Sequence, residues 1–222
     1  RIMEATNEGK ESKIARFLEV FGNIFTLNVL FAVSCIPVIT IGPALAAMYS
    51  VALKMVRKEE GPIWKSYKTA FAENFKKSIL AWLIVLAALF IIWGEYVYVC
   101  NFEGNIAAAY IVVIVVELVL MAFTLPFLFP LIARYDNTLA NTFKNAFLLS
   151  VSNFGSWLKI FFAWFAPLFL SIWYPEIFLL TWYMWLLLIF GLIAYGTSFT
   201  MRKVFDKISE VQGAADKKEE EN

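Results

Sequence analysis

Apolar residues run along this chain in long blocks separated by short polar clusters. The first block extends from about Phe17 to Val56, broken only by Glu19, by Lys54 near its end and by a few uncharged polar side chains. One straight helix of that length would measure about 60 Å, twice the hydrocarbon thickness of a bilayer. Pro37 and Pro43 bracket Val38-Ile39-Thr40-Ile41-Gly42. Prolines remove donors and Gly42 permits unusual dihedrals, so this segment predicts a turn. The block therefore reads as a hairpin, with one helix over 17–36 and a second over 43–57. Ala44-Leu45-Ala46 has the form of a signal-peptide cleavage site, but the apolar run before it is too long and further spans follow.

After Glu59-Glu60-Gly61-Pro62 the pattern changes. Over 62–77, Trp64, Tyr67, Phe71 and Phe75 recur at helical spacing, with Lys65, Lys68, Lys76 and Lys77 mostly off that stripe. This predicts an amphipathic helix lying on the membrane surface, aromatics inward and lysines toward lipid phosphates. It is a candidate docking helix for a partner. A third span follows over 78–99, with Trp82 at one interface and Trp93, Tyr96 and Tyr98 at the other, the depths at which aromatic belts fall. A short loop at 101–105 leads to a fourth span over 106–130, ending near Pro126 and Pro130. Asp136 or Asn137 is placed to cap a second amphipathic helix carrying Leu139, Phe143, Ala146, Phe147 and Val151. A fifth span over 156–173 and a sixth over 177–201 flank the loop Trp173-Tyr174-Pro175-Glu176. The expected fold class is thus all-α: a polytopic transmembrane bundle of about six spans with two cytoplasmic amphipathic helices. It divides into an N-terminal segment (1–16), a transmembrane domain (17–205) and a charged, loose tail (206–222).

Composition agrees, with 61% hydrophobic and 17% charged residues in 222. Soluble domains carry about 45–50% and about 25%. The distribution of charge adds orientation. No Lys or Arg lies between Arg16 and Lys54, Lys77 and Arg134, or Lys159 and Arg202. Six spans put all nineteen basic residues on one side, which the positive-inside rule makes cytoplasmic. Both termini are then cytoplasmic. Net charge is only +1, so it indicates no acidic partner or nucleic acid.

Chemistry-bearing residues are few. Histidine is absent, which removes the usual general base and the commonest metal ligand. Cys35 and Cys100 lack metal-type spacing and are both expected near the outer edge. No P-loop, Gly-x-Gly-x-x-Gly or zinc motif occurs, so neither enzyme nor cofactor is expected. Glu117, about twelve residues into the fourth span, is the one ionisable group expected near midplane, a functional site by default. Its expected hydrogen-bond partners are Asn28 and Thr26 on the first span. Glu95 is placed nearer the outer interface, in contact with water. The alternative to a proton or substrate site is a packing bond between helices.

The stretch from Leu27 to Trp82 carries Leu27-Asn28, Ile36-Pro37-Val38-Ile39-Thr40-Ile41-Gly42, Ala46-Ala47-Met48-Tyr49, Arg57-Lys58-Glu59-Glu60-Gly61 and Asn74-Phe75-Lys76-Lys77. In these it resembles the YesL-like family of bacterial membrane proteins, a domain of unknown function (624). That resemblance implies the plasma membrane of a Gram-positive bacterium and genes lying beside those of sugar ABC importers. The function it implies is a non-enzymatic accessory or regulatory protein of carbohydrate ABC import, with membrane lipids and sugar permease subunits as partners. It assigns no functional residues. The alternative function is a small oligomeric transporter or channel with Glu117 and Asn28 near its path.

Overall fold

The computed structural model describes residues 2–59, 61–102 and 104–220, and side chains from 13 to 210 apart from those at positions 60, 103, 105 and 177. Glu60 and Glu103, expected in loops, lie outside the described residues. Helix α1 (Ile2–Ser34) leads through a 3-10 turn at Val38–Thr40 into α2 (Ile41–Arg57). Next come α3 (Ile63–Asn101), α4 (Asn105–Arg134), α5 (Leu139–Ser152) and α6 (Phe154–Trp173). Then α7 (Pro175–Met184) passes through one π-helical stretch, Trp185–Ile189, into α8 (Phe190–Glu220). Among the described residues, six helices are long and apolar enough to cross a membrane. The protein is an all-α polytopic bundle, and its apolar outer surface contacts lipid.

Four features differ from expectation. The segment 62–77 is not a separate helix: α3 runs unbroken over 39 residues. Nothing in 76–79 stops a helix, and an amphipathic stretch can continue into an apolar one without a break. Likewise α4 passes through Pro126 and Pro130 to Arg134. Pro126 has no N–H, so the carbonyl of Ala122 loses its helical donor. The Trp157 indole Nε1 supplies a replacement at 2.9 Å. At the next residue the Ser150 hydroxyl donates to the Phe123 carbonyl. Polar side chains of neighbouring helices thus allow a proline helix inside a bundle. The cap of α5 is Thr138, whose Oγ1 accepts from Asn141 N at 3.4 Å. Asp136 instead takes the ammonium of Lys77 at 2.7 Å, and that hydrogen bond holds its carboxyl below the usual range. The stretch expected as a loose tail continues as part of α8 to Glu220.

α2 occupies the centre. Small side chains on it (Ala44, Ala46, Ala47 and Ala52) are fully buried and let neighbouring backbones approach. Gly42 marks the closest approach: a Cβ there would sit 2.5 Å from both the Ser78 carbonyl oxygen and the Trp82 Cβ. Across the same contact, the Trp82 Nε1 donates to the Val38 carbonyl at 2.8 Å. Trp82 lies nineteen residues before the end of α3 at Asn101, about 28 Å along a helix. The α1–α2 turn therefore meets α3 in its middle, and this hairpin is shallower than the α3–α4 hairpin. Ile36, Val38 and Ile39 on the turn are exposed. Cys35 stands beside the turn and Cys100 near the end of α3. Both are free thiols.

Candidate functional site

Asn28 is fully buried but does not face Glu117. Its Nδ2 donates to the carbonyls of Trp185 (3.1 Å) and Leu186 (2.6 Å), and its Oδ1 accepts from Gly191 N at 2.7 Å. Trp185 and Leu186 open the π-helical stretch and Gly191 lies just past its end; there the repeat slips by one residue and leaves backbone partners unmatched. Gly191 makes the fit sterically possible, since a Cβ there would lie 2.8 Å from the Ile24 carbonyl oxygen and 3.2 Å from Asn28 Cβ. The expected intramembrane polar site is therefore divided. Asn28 is a structural clamp between α1 and the α7–α8 rod. Thr26 turns back on its own helix, donating to the Gly22 carbonyl at 2.9 Å.

Glu117 instead meets Glu95 across α3 and α4. Each carboxyl has one buried oxygen, Oε2, without a hydrogen-bond partner. Glu95, expected in contact with water, is half-buried beside this neighbour. The sequence held a usable signal: a short loop at 101–105 forces α3 and α4 antiparallel, which brings their carboxyls within a few turns of each other. Ionised carboxyls are costly in an apolar layer, and no basic residue occurs between Lys77 and Arg134 to offset them.

A second buried polar network joins α2, α6 and α8. The Trp164 Nε1 donates to the Tyr49 hydroxyl at 2.7 Å, and that hydroxyl lies 3.5 Å from the Thr197 hydroxyl. Thr197 in turn donates to the Ile193 carbonyl at 2.7 Å. Beside this network lies a cavity of about 290 Å³ lined by Leu45, Trp82, Leu125, Phe129, Phe161 and Leu168. A larger one, about 650 Å³, lies between the α1–α2 turn and the α6–α7 end, among Phe31, Cys35, Ser171, Phe178 and Trp182. Both walls are almost wholly apolar. A binding site for a polyhydroxylated solute presents several convergent polar groups, and these cavities do not.

The expected partner helix is also divided. Tyr67 is buried, and its ring begins a ladder with Phe71 (6.2 Å) and Phe75 (5.6 Å), both half-buried. Trp64, expected to face inward with them, is 64% exposed. It shares the outer surface with Lys65, Lys68 and Lys76. The inward stripe is therefore 67-71-75, and Trp64 belongs to the face that the chain leaves uncovered.

The fold and these sites define a class: a multi-pass helical membrane protein whose buried polar groups mainly tie its spans together. Within that class, residues 24–96 match the model of a family described as a protein of unknown function, DUF624. The matched stretch spans the last third of α1, all of α2 and α3 as far as Tyr96, and it bears out the resemblance drawn from Leu27 to Trp82. It contains Asn28, Gly42, Trp82 and Glu95 but not Glu117. Neither a curated protein nor a solved structure matches the chain.

Proposed function

We propose that the protein is a non-enzymatic accessory or regulatory subunit of a carbohydrate ABC importer, set in a bacterial plasma membrane with both termini cytoplasmic. The importer is suggested by the YesL-like resemblance. The orientation is supported by the sequence positions of Lys and Arg, which a six-span topology gathers on one side. The observation that carries partner binding is the outer face of α3 near its start. Trp64, Lys65, Lys68 and Lys76 are exposed there, while Tyr67 on the opposite side is buried. A tryptophan beside lysines on a helix anchored from behind is a surface that a partner can bind without disturbing the core.

A pull-down from native membranes in mild detergent tests this reading. The wild-type chain brings permease subunits with it. A variant carrying Trp64→Ser with Lys65, Lys68 and Lys76 changed to Gln loses them while keeping its thermal midpoint. Equal recovery from both chains would sink the docking role.

A second reading, a small oligomeric transporter or channel, is favoured by the Glu95–Glu117 pair. These carboxyls sit on the part of α3–α4 least covered by the rest of the chain, where a second copy would shield them. Asn28 has no place in that path, because its amide is fully used. Solute flux into liposomes holding only this protein, abolished by Glu117→Gln, would favour this reading over the accessory one.

A further inference from the structure

At the basic end of the bundle, three arginines from three helices converge on one carboxylate. Arg57, the last residue of α2, places Nη2 2.9 Å from Asp206 Oδ1. Arg134, the last residue of α4, places Nη2 3.5 Å from the same oxygen. Arg202, one turn earlier on α8, places Nε 3.4 Å from Oδ2. The cluster is over-supplied with positive charge. Three guanidiniums face one carboxylate, an excess of two. The C-termini of α2 and α4 offset part of it, each equivalent to roughly half a negative charge. Arg202 Nη1 indeed donates to the Val56 carbonyl at the end of α2, at 3.2 Å. About one positive charge is left over.

The hydrogen bonds are incomplete in the same sense. Arg57 Nε, Arg134 Nη1 and the Tyr135 hydroxyl are buried atoms without a partner. The Arg134 guanidinium is held in place by the rings of Phe205 and Tyr135, 5.1 and 5.6 Å from their centroids. Asp206 and Arg202 are 43% and 45% exposed, so the cluster is open on one side. Unpartnered guanidinium N–H groups in fixed, forked positions match a tetrahedral oxyanion with several acceptor oxygens.

We propose that this cluster is a phosphate-group binding site, built on Arg57, Arg134, Arg202 and Tyr135. Its ligand is a phosphate oxyanion, carried either by a lipid headgroup or by a soluble phosphate compound. Asp206 preorganises the arginines in the unliganded state and opposes the anion through like charge. That opposing role gives the test a sign that a mere tie between helices does not share.

The experiment uses the full chain in an uncharged detergent, with the thermal midpoint read at fixed ionic strength. One arm exchanges chloride for inorganic phosphate. The other adds short-chain phosphatidylglycerol against diacylglycerol of the same chain length. The midpoint rises in at least one arm: a rise with inorganic phosphate assigns a soluble ligand, and a rise with phosphatidylglycerol alone assigns a headgroup. Arg57→Gln and Arg134→Gln shrink the rise at least twofold, whereas Asp206→Asn reaches it at a several-fold lower ligand concentration. If a glutamine variant fails to fold, Arg134→Lys, which keeps the charge and loses the fork, takes its place and also shrinks the rise. No rise in either arm, in wild type and in Asp206→Asn alike, overturns the proposal. So does a rise that the arginine substitutions leave unchanged.

Discussion

α2 and α4 are both apolar helices of one bundle, and their burial runs opposite to their hydropathy. The best window of α2 has a mean hydropathy of 1.5 and is 67% buried within the chain; that of α4 reaches 2.7 and is 6% buried. A soluble protein would hide the more apolar helix. Here lipid is as apolar as leucine, so hydrophobicity gives no reason to leave it. Close approach of backbones decides instead, and α2 has the small residues for that. Alanines and Gly42 line its contacts, whereas α4 presents Val112, Val115, Val116 and Leu120 outward. In this bundle, high hydropathy marks the lipid face and small residues mark the core.

The contrast predicts large effects near α2 and small ones along α4. The largest is expected for Asn28→Leu, which strips three backbone groups of their partner at once. At roughly 1 kcal/mol per interhelical bond the loss is about 3 kcal/mol, read as reduced resistance to denaturant in mixed micelles. A variant as stable as wild type would mean that the π-helical stretch relaxes to a regular α-helix without help. Next comes Gly42→Val. Its side chain would enter space already held by the Ser78 carbonyl and Trp82, at about 2 kcal/mol for overpacking. Loss of the Trp82 contact should also appear as a changed tryptophan emission.

On the α3–α4 side the expected changes are smaller. Glu117→Leu leaves Glu95 facing an apolar partner and lowers stability by about 1 kcal/mol, while Glu117→Gln keeps a hydrogen bond and is nearly neutral. Equal stability of both variants would show that the two carboxyls do not depend on one another. The smallest effect belongs to Val115→Ala. Lipid replaces the lost methyl groups, so the midpoint should move by less than about 0.5 kcal/mol. A loss comparable to that of Gly42→Val would place α4 against protein and make its exposed face an interface.

The six spans were legible in the sequence because each is a long apolar run ended by charge or by proline with glycine. Helix continuity was not. Nothing in 76–79 says whether 62–77 and 78–99 are one helix or two, since an unbroken helix carries no local signal. The course of α4 through Pro126 depended on a donor thirty-one residues away, the Trp157 indole. Asn28 could be recognised as a polar group needing partners, but those partners are backbone groups, and every residue carries the same ones. Glu117 stood out in the sequence as a lone carboxyl in an apolar run. Its neighbour was set by helix register rather than by residue type.

The Asn28 clamp also bears on how the chain is assembled. It joins the first span to the last, with more than 150 residues of sequence between donor and acceptor. Until the segment around Trp185 leaves the ribosome and enters the bilayer, the Asn28 amide has none of these partners, and its desolvation in lipid is uncompensated. α1 therefore stays unsettled during biosynthesis long after it has been made. Closure of the bundle waits on the final hairpin, and a fragment ending before Trp185 would offer an unsatisfied amide to the quality-control proteases of the membrane.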